Sequence, residues 1–209
     1  MSPEEISRKE RRRLEDRNCI LDAAIQLFSL KGYHNVSMNE IAAKADFAVG
    51  TLYKFFKTKE DLYETIFVEM AHKIISDSLE VISQPGEVLT LLYNHLKFAS
   101  IALKENQNLI RLYFVEVHNL ICNVSSCLNS TILEIKAKSQ EKEIEVMKRG
   151  IEEGVFRDVS PEILQITYTG LFEAFVLAWI ANPEKYPEGI DYETILDLFL
   201  NGASVKNEK

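Results

Sequence analysis

The chain has 209 residues, of which 46% are apolar and 27% charged, and a net charge of −8. This suits an ordinary soluble globular protein of one large or two small units, and with only 8 Gly and 5 Pro it excludes a turn-rich β architecture. The charge is uneven: residues 1–60 carry 11 Lys and Arg against 9 Asp and Glu, the remainder 13 against 23, so an acidic protein has a locally basic front.

Helical spacing of Leu21, Ala24, Ile25 and Phe28 predicts a helix over 14–31, stopped by Gly32. Ser37-Met-Asn-Glu40 has the form of a capping box and opens a short helix to about Ala45. Asp46 sits in a turn, and a third helix follows from about Ala48 to Phe56. Thr58-Lys-Glu-Asp61 caps a longer helix to about Ile82, before the Pro85-Gly86 break. Helices over about 87–103, 107–121 and 124–152 come next. The last of these is charged, with Glu134–Lys138 and Glu145–Arg149 spaced as ion pairs on a solvent-facing side. Ser160-Pro161 starts a helix to Asn182, and Asp191 caps the final one, to about Asn201. No internal repeat or strand pattern stands out.

The N-terminus has no apolar core of a signal peptide, and the longest uncharged apolar run, AFVLAWIA at 174–181, is far shorter than a bilayer span. The expectation is a cytoplasmic protein with no membrane partner. Its three cysteines form no CxxC pair, and Cys122 and Cys127 read as small buried hydrophobes rather than a thiol sensor. The sequons at Asn35, Asn123 and Asn129 are then chance matches. The four histidines show no metal-ligand spacing, and no nucleophile–base pair is evident, so neither a metal, a cofactor nor catalysis is expected.

The segment VGTLYKFFKTKEDL, 49–62, mixes aromatics with Lys54, Lys57 and Lys59. On a helical wheel Val49, Leu52 and Phe56 point one way, and Gly50, Thr51, Lys54 and Lys57 the other, with Tyr53 at the boundary and Phe55 on the far flank. A slim leading turn, hydrogen-bonding groups and cations suit a DNA major groove. A solvated helix face reads much the same. The basic arm at 8–17 is open in the same way: a phosphate or minor-groove contact, or a solvated helix extension.

Residues 20–63, ILDAAIQLFSLKGYHNVSMNEIAAKADFAVGTLYKFFKTKEDLY, resemble the DNA-binding domain of TetR/AcrR-family transcriptional regulators. The resemblance rests on the ILDAAIQLF helix, the KGY turn, S-M-x-x-I-A and G-T-L-Y-x-x-F-x-x-K-E-x-L, about a fifth of the chain. It implies an all-α fold of about nine helices. Residues 1–60 would form a three-helix helix-turn-helix domain with a basic arm, and 61–209 a helical effector-binding and dimerisation domain. It also implies DNA contacts: Ser37 capping and touching phosphate, Gly50 and Thr51 at base edges or phosphates, Tyr53 and Lys59 on phosphate, and Lys54 toward the groove; Lys57, on the free side of the wheel, is a further DNA-binding candidate. Ile41, Ala42, Leu52 and Phe56 would pack. Three positions depart from the family pattern: Asp46 for Gly, Ala48 for Ser or Thr, and Phe55 for His.

GLFEAFVLAWIA, 170–181, is apolar around nearly the whole wheel, and the last helix is similarly broad. A second copy would cover them, through Leu171, Phe172, Phe175, Trp179, Ile195 and Phe199, in a homodimeric four-helix bundle. A near-palindromic operator would follow. The resemblance further implies a pocket among 87–182, with Tyr93, His95, Arg111, Tyr113, Glu116, His118, Tyr168 and Glu173 as candidates, each of which also reads as a satisfied core or surface residue. The expected function is a ligand-responsive regulator, a repressor released by an apolar or amphipathic effector. A transcriptional activator of the same fold and a helical interaction protein are the alternatives.

Overall fold

A computed structural model describes residues 7–112 and 130–203. Among the described residues there is helix and no strand. Within those residues nine α-helices follow one another: α1 (Arg8–Lys31), α2 (Met38–Lys44), α3 (Val49–Phe55), α4 (Lys59–Ile82), α5 (Val88–Glu105), α6 (Gln107–Leu112), α7 (Ser130–Glu152), α8 (Pro161–Ala181) and α9 (Tyr192–Ala203), with a 3₁₀ turn at Pro183–Lys185. The expected all-α fold is thus present.

Local chemistry explains the starts and stops. The Ser37 hydroxyl accepts from the Glu40 N–H at 3.2 Å, and Glu40 Oε2 accepts from the Ser37 N–H at 2.9 Å, so both halves of the α2 capping box are made. Thr58 accepts from the Asp61 N–H at 3.0 Å to open α4, and Asp191 accepts from the Thr194 N–H at 2.9 Å to open α9. At α8 the expectation changes: Ser160 is the N-cap residue, but its hydroxyl turns to the Glu162 carboxylate instead of the backbone. Gly32 ends α1 at φ 78°, and its N–H returns to the Phe28 carbonyl at 2.9 Å. Between α2 and α3, Asp46 takes φ 60°, a left-handed turn that a short polar side chain tolerates. α1 begins at Arg8, six residues earlier than its apolar spacing predicts, because a second capping box at Ser7 and Glu10 starts it in the basic arm.

α1, α2 and α3 close around Ile20, Leu21, Ala24, Phe28, Ile41, Ala42, Leu52 and Phe56, all buried. Tyr63 of α4 enters this core edge-on to Phe28, centroids 5.1 Å apart, and to Tyr33, 5.2 Å apart. α4 then runs out of the cluster to pack on α5 and α7, and α8 lies on α7 and α9. Gly150 of α7 lets Phe156 lie against the helix: a Cβ there would fall 2.4 Å from the Phe156 ring.

Several expectations are corrected. Trp179, Ile195 and Phe199 are buried inside the protomer, with Phe199 edge-on to Phe156 and Tyr168. They are therefore unavailable to a partner. On α7, Glu145 pairs with Lys142 at 2.6 Å and Arg149 with Glu153 at 3.4 Å, not Glu145 with Arg149. α8 as a whole is long and apolar enough for a membrane span, which the short run within it hid, although Gln165 and Tyr168 are buried against the other helices. Tyr113, Glu116, His118, Cys122, Asn123, Cys127 and Asn129, and the side chain of Arg111, lie outside the described residues.

Candidate nucleic-acid interface and cavity

α3 has two unlike sides. Leu52 is fully buried and Phe56, just past the helix, is 2% exposed, so they fasten the segment to the core. Gly50, Tyr53, Lys54 and Lys57 are all exposed. The spacing i, i+3 and i+4 puts Gly50, Tyr53 and Lys54 on one face of the helix, and Lys57 follows just past its end, beyond the extended Phe56. A Cβ built on Gly50 meets nothing within 4 Å and its φ is ordinary, so nothing inside the protomer requires glycine there. Tyr53 stands 52% exposed. No side chain caps the start of α3, as Ala48 in place of a hydroxyl residue implies. Thr51 is half-buried beside Gly50.

Two sequence candidates are placed differently from expectation. Lys59 donates from Nζ to the carbonyl oxygens of Tyr33 and Val36, at 2.9 and 3.0 Å, and its ammonium lies 4.3 Å from the centroid of the Tyr33 ring. It therefore clamps the turn between α1 and α2 instead of projecting as a free phosphate ligand. Ser37 does cap α2, but its hydroxyl proton is committed to Glu40 Oε2 at 2.9 Å. Glu40 in turn accepts from Lys31 Nζ at 2.9 Å, and these bonds, Lys31 first and then Ser37, hold its carboxyl down to about 2.

The basic arm is the first stretch of α1. Arg13 lies over the Phe55 ring, 5.9 Å to the centroid, and Arg17 over Phe56 at 5.6 Å while it pairs with Glu69 at 2.6 Å. Phe55, which departs from the family pattern, so becomes a rest for an arginine. Arg8, Lys9, Arg11 and Arg12 are exposed beyond that point.

Farther along the chain, α4, α5, α6, α7 and α8 line a half-open cavity of about 220 Å³. Its walls are mostly apolar, including Phe67, Met70, Ile74, Leu96, Ile110, Phe172 and Val176. His95, Tyr168 and Glu173 line it, whereas Tyr93 points away, toward Tyr192 and the Glu193 carboxylate at 3.3 Å. Phe172, expected at a dimer interface, is also part of the wall.

The polar corner was missed at Glu143. This residue is 4% exposed and lies across from His95, Nε2 to Oε1 3.8 Å. Its Oε2 accepts from Gln165 at 2.8 Å and Thr169 at 3.0 Å, and its Oε1 from the Ser139 hydroxyl at 3.3 Å. His95 Nδ1 meets the Tyr168 hydroxyl at 2.8 Å, and that hydroxyl reaches the Leu92 carbonyl at 3.1 Å. Burial pushes His95 down to about 4, so the imidazole is neutral at physiological pH. Burial pushes the Glu143 carboxyl up, against the bonds from Gln165, Thr169 and Ser139. Lys136 and Glu173 pair at the same cavity, 2.7 Å apart. The missed signal was spacing: Ser139, Glu143, Val146, Met147 and Gly150 form the buried stripe of α7, and Glu143 sits in it.

The cavity wall is joined to the α1–α3 core through Tyr63, whose hydroxyl donates to the Leu109 carbonyl at 2.6 Å. Leu109 is followed by Ile110, a lining residue.

The sequence profile described as bacterial regulatory proteins, tetR family, matches residues 20–66, the stretch that holds α2, α3 and the two turns around them. Residues 20–66 thus carry a tetR-family domain. The fatty acid metabolism regulator protein of Bacillus subtilis (strain 168) is 24% identical over 195 residues, spanning 90% of this chain and 95% of that one. The HTH-type transcriptional repressor KstR of Rhodococcus jostii (strain RHA1) is 50% identical over 48 residues, 23% of each chain. Among solved structures, the regulator FadR of Bacillus subtilis in complex with stearoyl-CoA has 25% identity and a TM-score of 0.65, with 88% of this chain and 98% of that one covered. With that domain and these relatives, the chain is a DNA-binding transcriptional regulator of the ligand-responsive kind, not an enzyme.

Proposed function

We propose that this regulator is a cytoplasmic, homodimeric repressor that holds a near-palindromic operator with two copies of α3 and releases it when a small apolar or amphipathic effector fills the cavity. Residues 1–60 read the DNA and 61–209 bind the effector and the second copy. One observation carries the reading: Gly50, Tyr53 and Lys54 share an exposed face of a helix whose opposite side is sealed into the core, and exposed Lys57 follows just past its end. Gly50 lets the backbone approach the bases, Thr51 stands beside it at the groove, Tyr53 supplies a hydroxyl for phosphate, and the lysines supply cations. Ser37 and Lys59 serve the interface indirectly, by fixing the frame of α2. KstR of Rhodococcus jostii, which is similar over this region, is a transcriptional repressor.

The outer stripe of α8 supports the dimer. Ile163, Ile166, Gly170, Ala174 and Leu177 are exposed at helical spacing, and Leu198 is exposed on neighbouring α9. Two copies joined there form a four-helix bundle and set the α3 helices about 34–36 Å apart, one DNA turn. Half-buried Leu171 and Phe175 flank the stripe. The Tyr63–Leu109 bond supports communication with the cavity, since it ties a lining helix to the DNA-reading core.

A gel shift with the DNA upstream of its own gene, at modest salt, tests this. The wild type shifts the duplex as a dimer, and Tyr53→Phe with Lys54→Ala abolishes the shift. An unshifted duplex, or a shift that survives the double variant, contradicts the reading.

A further inference from the structure

Resting on the cavity reading above, we propose that the effector is a small organic monocation, with an apolar body in the cavity and a protonated amine on Glu143. Charge balance points this way. Among the described lining residues, the charged groups are Lys136, Glu143 and Glu173. Lys136, whose charge also acts on Glu143, makes its direct ion pair with Glu173 at 2.7 Å, which leaves Glu143, among the described residues, without a cation in contact and beside a neutral imidazole.

The two oxygens of Glu143 are unequally served. Oε2 has two good donors, Gln165 and Thr169. Among the described residues Oε1 has the Ser139 hydroxyl at 3.3 Å and the His95 ring at 3.8 Å, so it retains acceptor capacity in a buried corner. An anionic head group there would add like charge in a low-dielectric site, and a neutral one would leave the carboxylate unmatched. An ammonium makes a charge-assisted hydrogen bond and supplies the missing charge. If the carboxyl holds its proton before binding, a neutral amine takes that proton and the same ion pair results. The Tyr168 ring, stacked on His95 with centroids 5.8 Å apart, is the aromatic neighbour of this corner.

Volume limits the body. The cavity, at about 220 Å³, is somewhat larger than the roughly 150 Å³ that accepts a benzene ring and below the roughly 300 Å³ at which drug-sized sites begin. One ring or a short chain with an amine fits it.

Calorimetry on the full chain tests the assignment with 2-phenylethylammonium, 3-phenylpropanoate and 2-phenylethanol, similar in ring and chain but different in head-group charge. The ammonium should bind at least tenfold more tightly than the carboxylate. Glu143→Gln should erase that advantage and change alcohol binding by less than twofold, and Lys136→Met should widen it. Binding of the carboxylate as tightly as the ammonium, or an ammonium preference that survives Glu143→Gln, overturns the assignment. If Glu143→Gln does not fold, the wild-type ranking decides alone. Alcohol binding without ammonium preference removes the head-group claim and keeps the cavity; no binding by any of the three removes both.

Discussion

The Lys59 ammonium and the Tyr33 carbonyl oxygen are 2.9 Å apart, a contact across 26 residues that ties the start of α4 to the turn between α1 and α2. A second bond, to Val36, and the Tyr33 ring complete the clamp. Hydrogen bonds from a charged group to partly buried carbonyls contribute about 1.5–3 kcal/mol. Lys59→Met should lower folding stability by about that much in denaturant titrations. Lys57→Ala should leave stability unchanged and reduce the salt slope of DNA binding by about one. The reverse pattern would restore Lys59 as the phosphate ligand.

Gly50 separates stability from function. An added methyl meets no protein atom, and alanine is favoured over glycine inside a helix by about 0.5–1 kcal/mol. Gly50→Ala should therefore stabilise the free protein slightly, read as a higher midpoint of unfolding. It should nevertheless weaken operator binding tenfold or more, because the methyl occupies space that the DNA needs. A variant that is more stable and binds equally well would remove Gly50 from the interface.

The outer and inner faces of α8 and α9 predict different failures. Ile166→Glu places a charge on the exposed stripe and should yield a folded monomer by light scattering, with DNA affinity lost. Phe199→Ala empties a buried site against Phe156 and Tyr168 and should cost about 3–5 kcal/mol of stability. A dimer that survives Ile166→Glu with undiminished affinity would place the protomer contact elsewhere.

The buried imidazole makes stability depend on acid. His95 titrates near 4 in the folded chain, because burial disfavours its charged form, and near 6.5 when unfolded. Between those values the unfolded chain takes up a proton that the folded chain refuses. The His95 contribution to stability is thus complete above about 6.5 and is lost as pH falls toward 4, by up to about 3 kcal/mol. Glu143, pushed up by burial, acts in the opposite sense above its ordinary value of 4.5. Subtraction isolates the histidine: the stability difference between wild type and His95→Asn should grow by about that amount from pH 4 to 6.5. A flat difference would mean that the folded imidazole titrates normally.

What the sequence disclosed was local. Ser37 with Glu40, Thr58 with Asp61, and Asp191 declare helix starts within three or four residues, so the elements could be read directly. The two-sided character of α3 was equally plain, because its apolar and polar positions separate on a wheel. α8 and α9 hid their orientation: a helix apolar all round gives no periodic hint of which side the protomer keeps, and so Trp179, Ile195 and Phe199 were read as outward. Lys59 was misplaced for another reason, since its partners lie 23 and 26 residues away and no spacing reveals them. Glu143 was legible in principle, from its place in the stripe with Val146 and Met147, but the charges around it masked that stripe.

In vitro selection from random duplex DNA, read by sequencing, bears most directly on the claim that paired α3 helices read an operator. The wild type should enrich an inverted repeat whose half-sites are centred about one helical turn apart. A Tyr53→Phe, Lys54→Ala, Lys57→Ala protein, folded and dimeric, should enrich nothing. No enrichment by the wild type, or the same motif recovered by the variant, would contradict it.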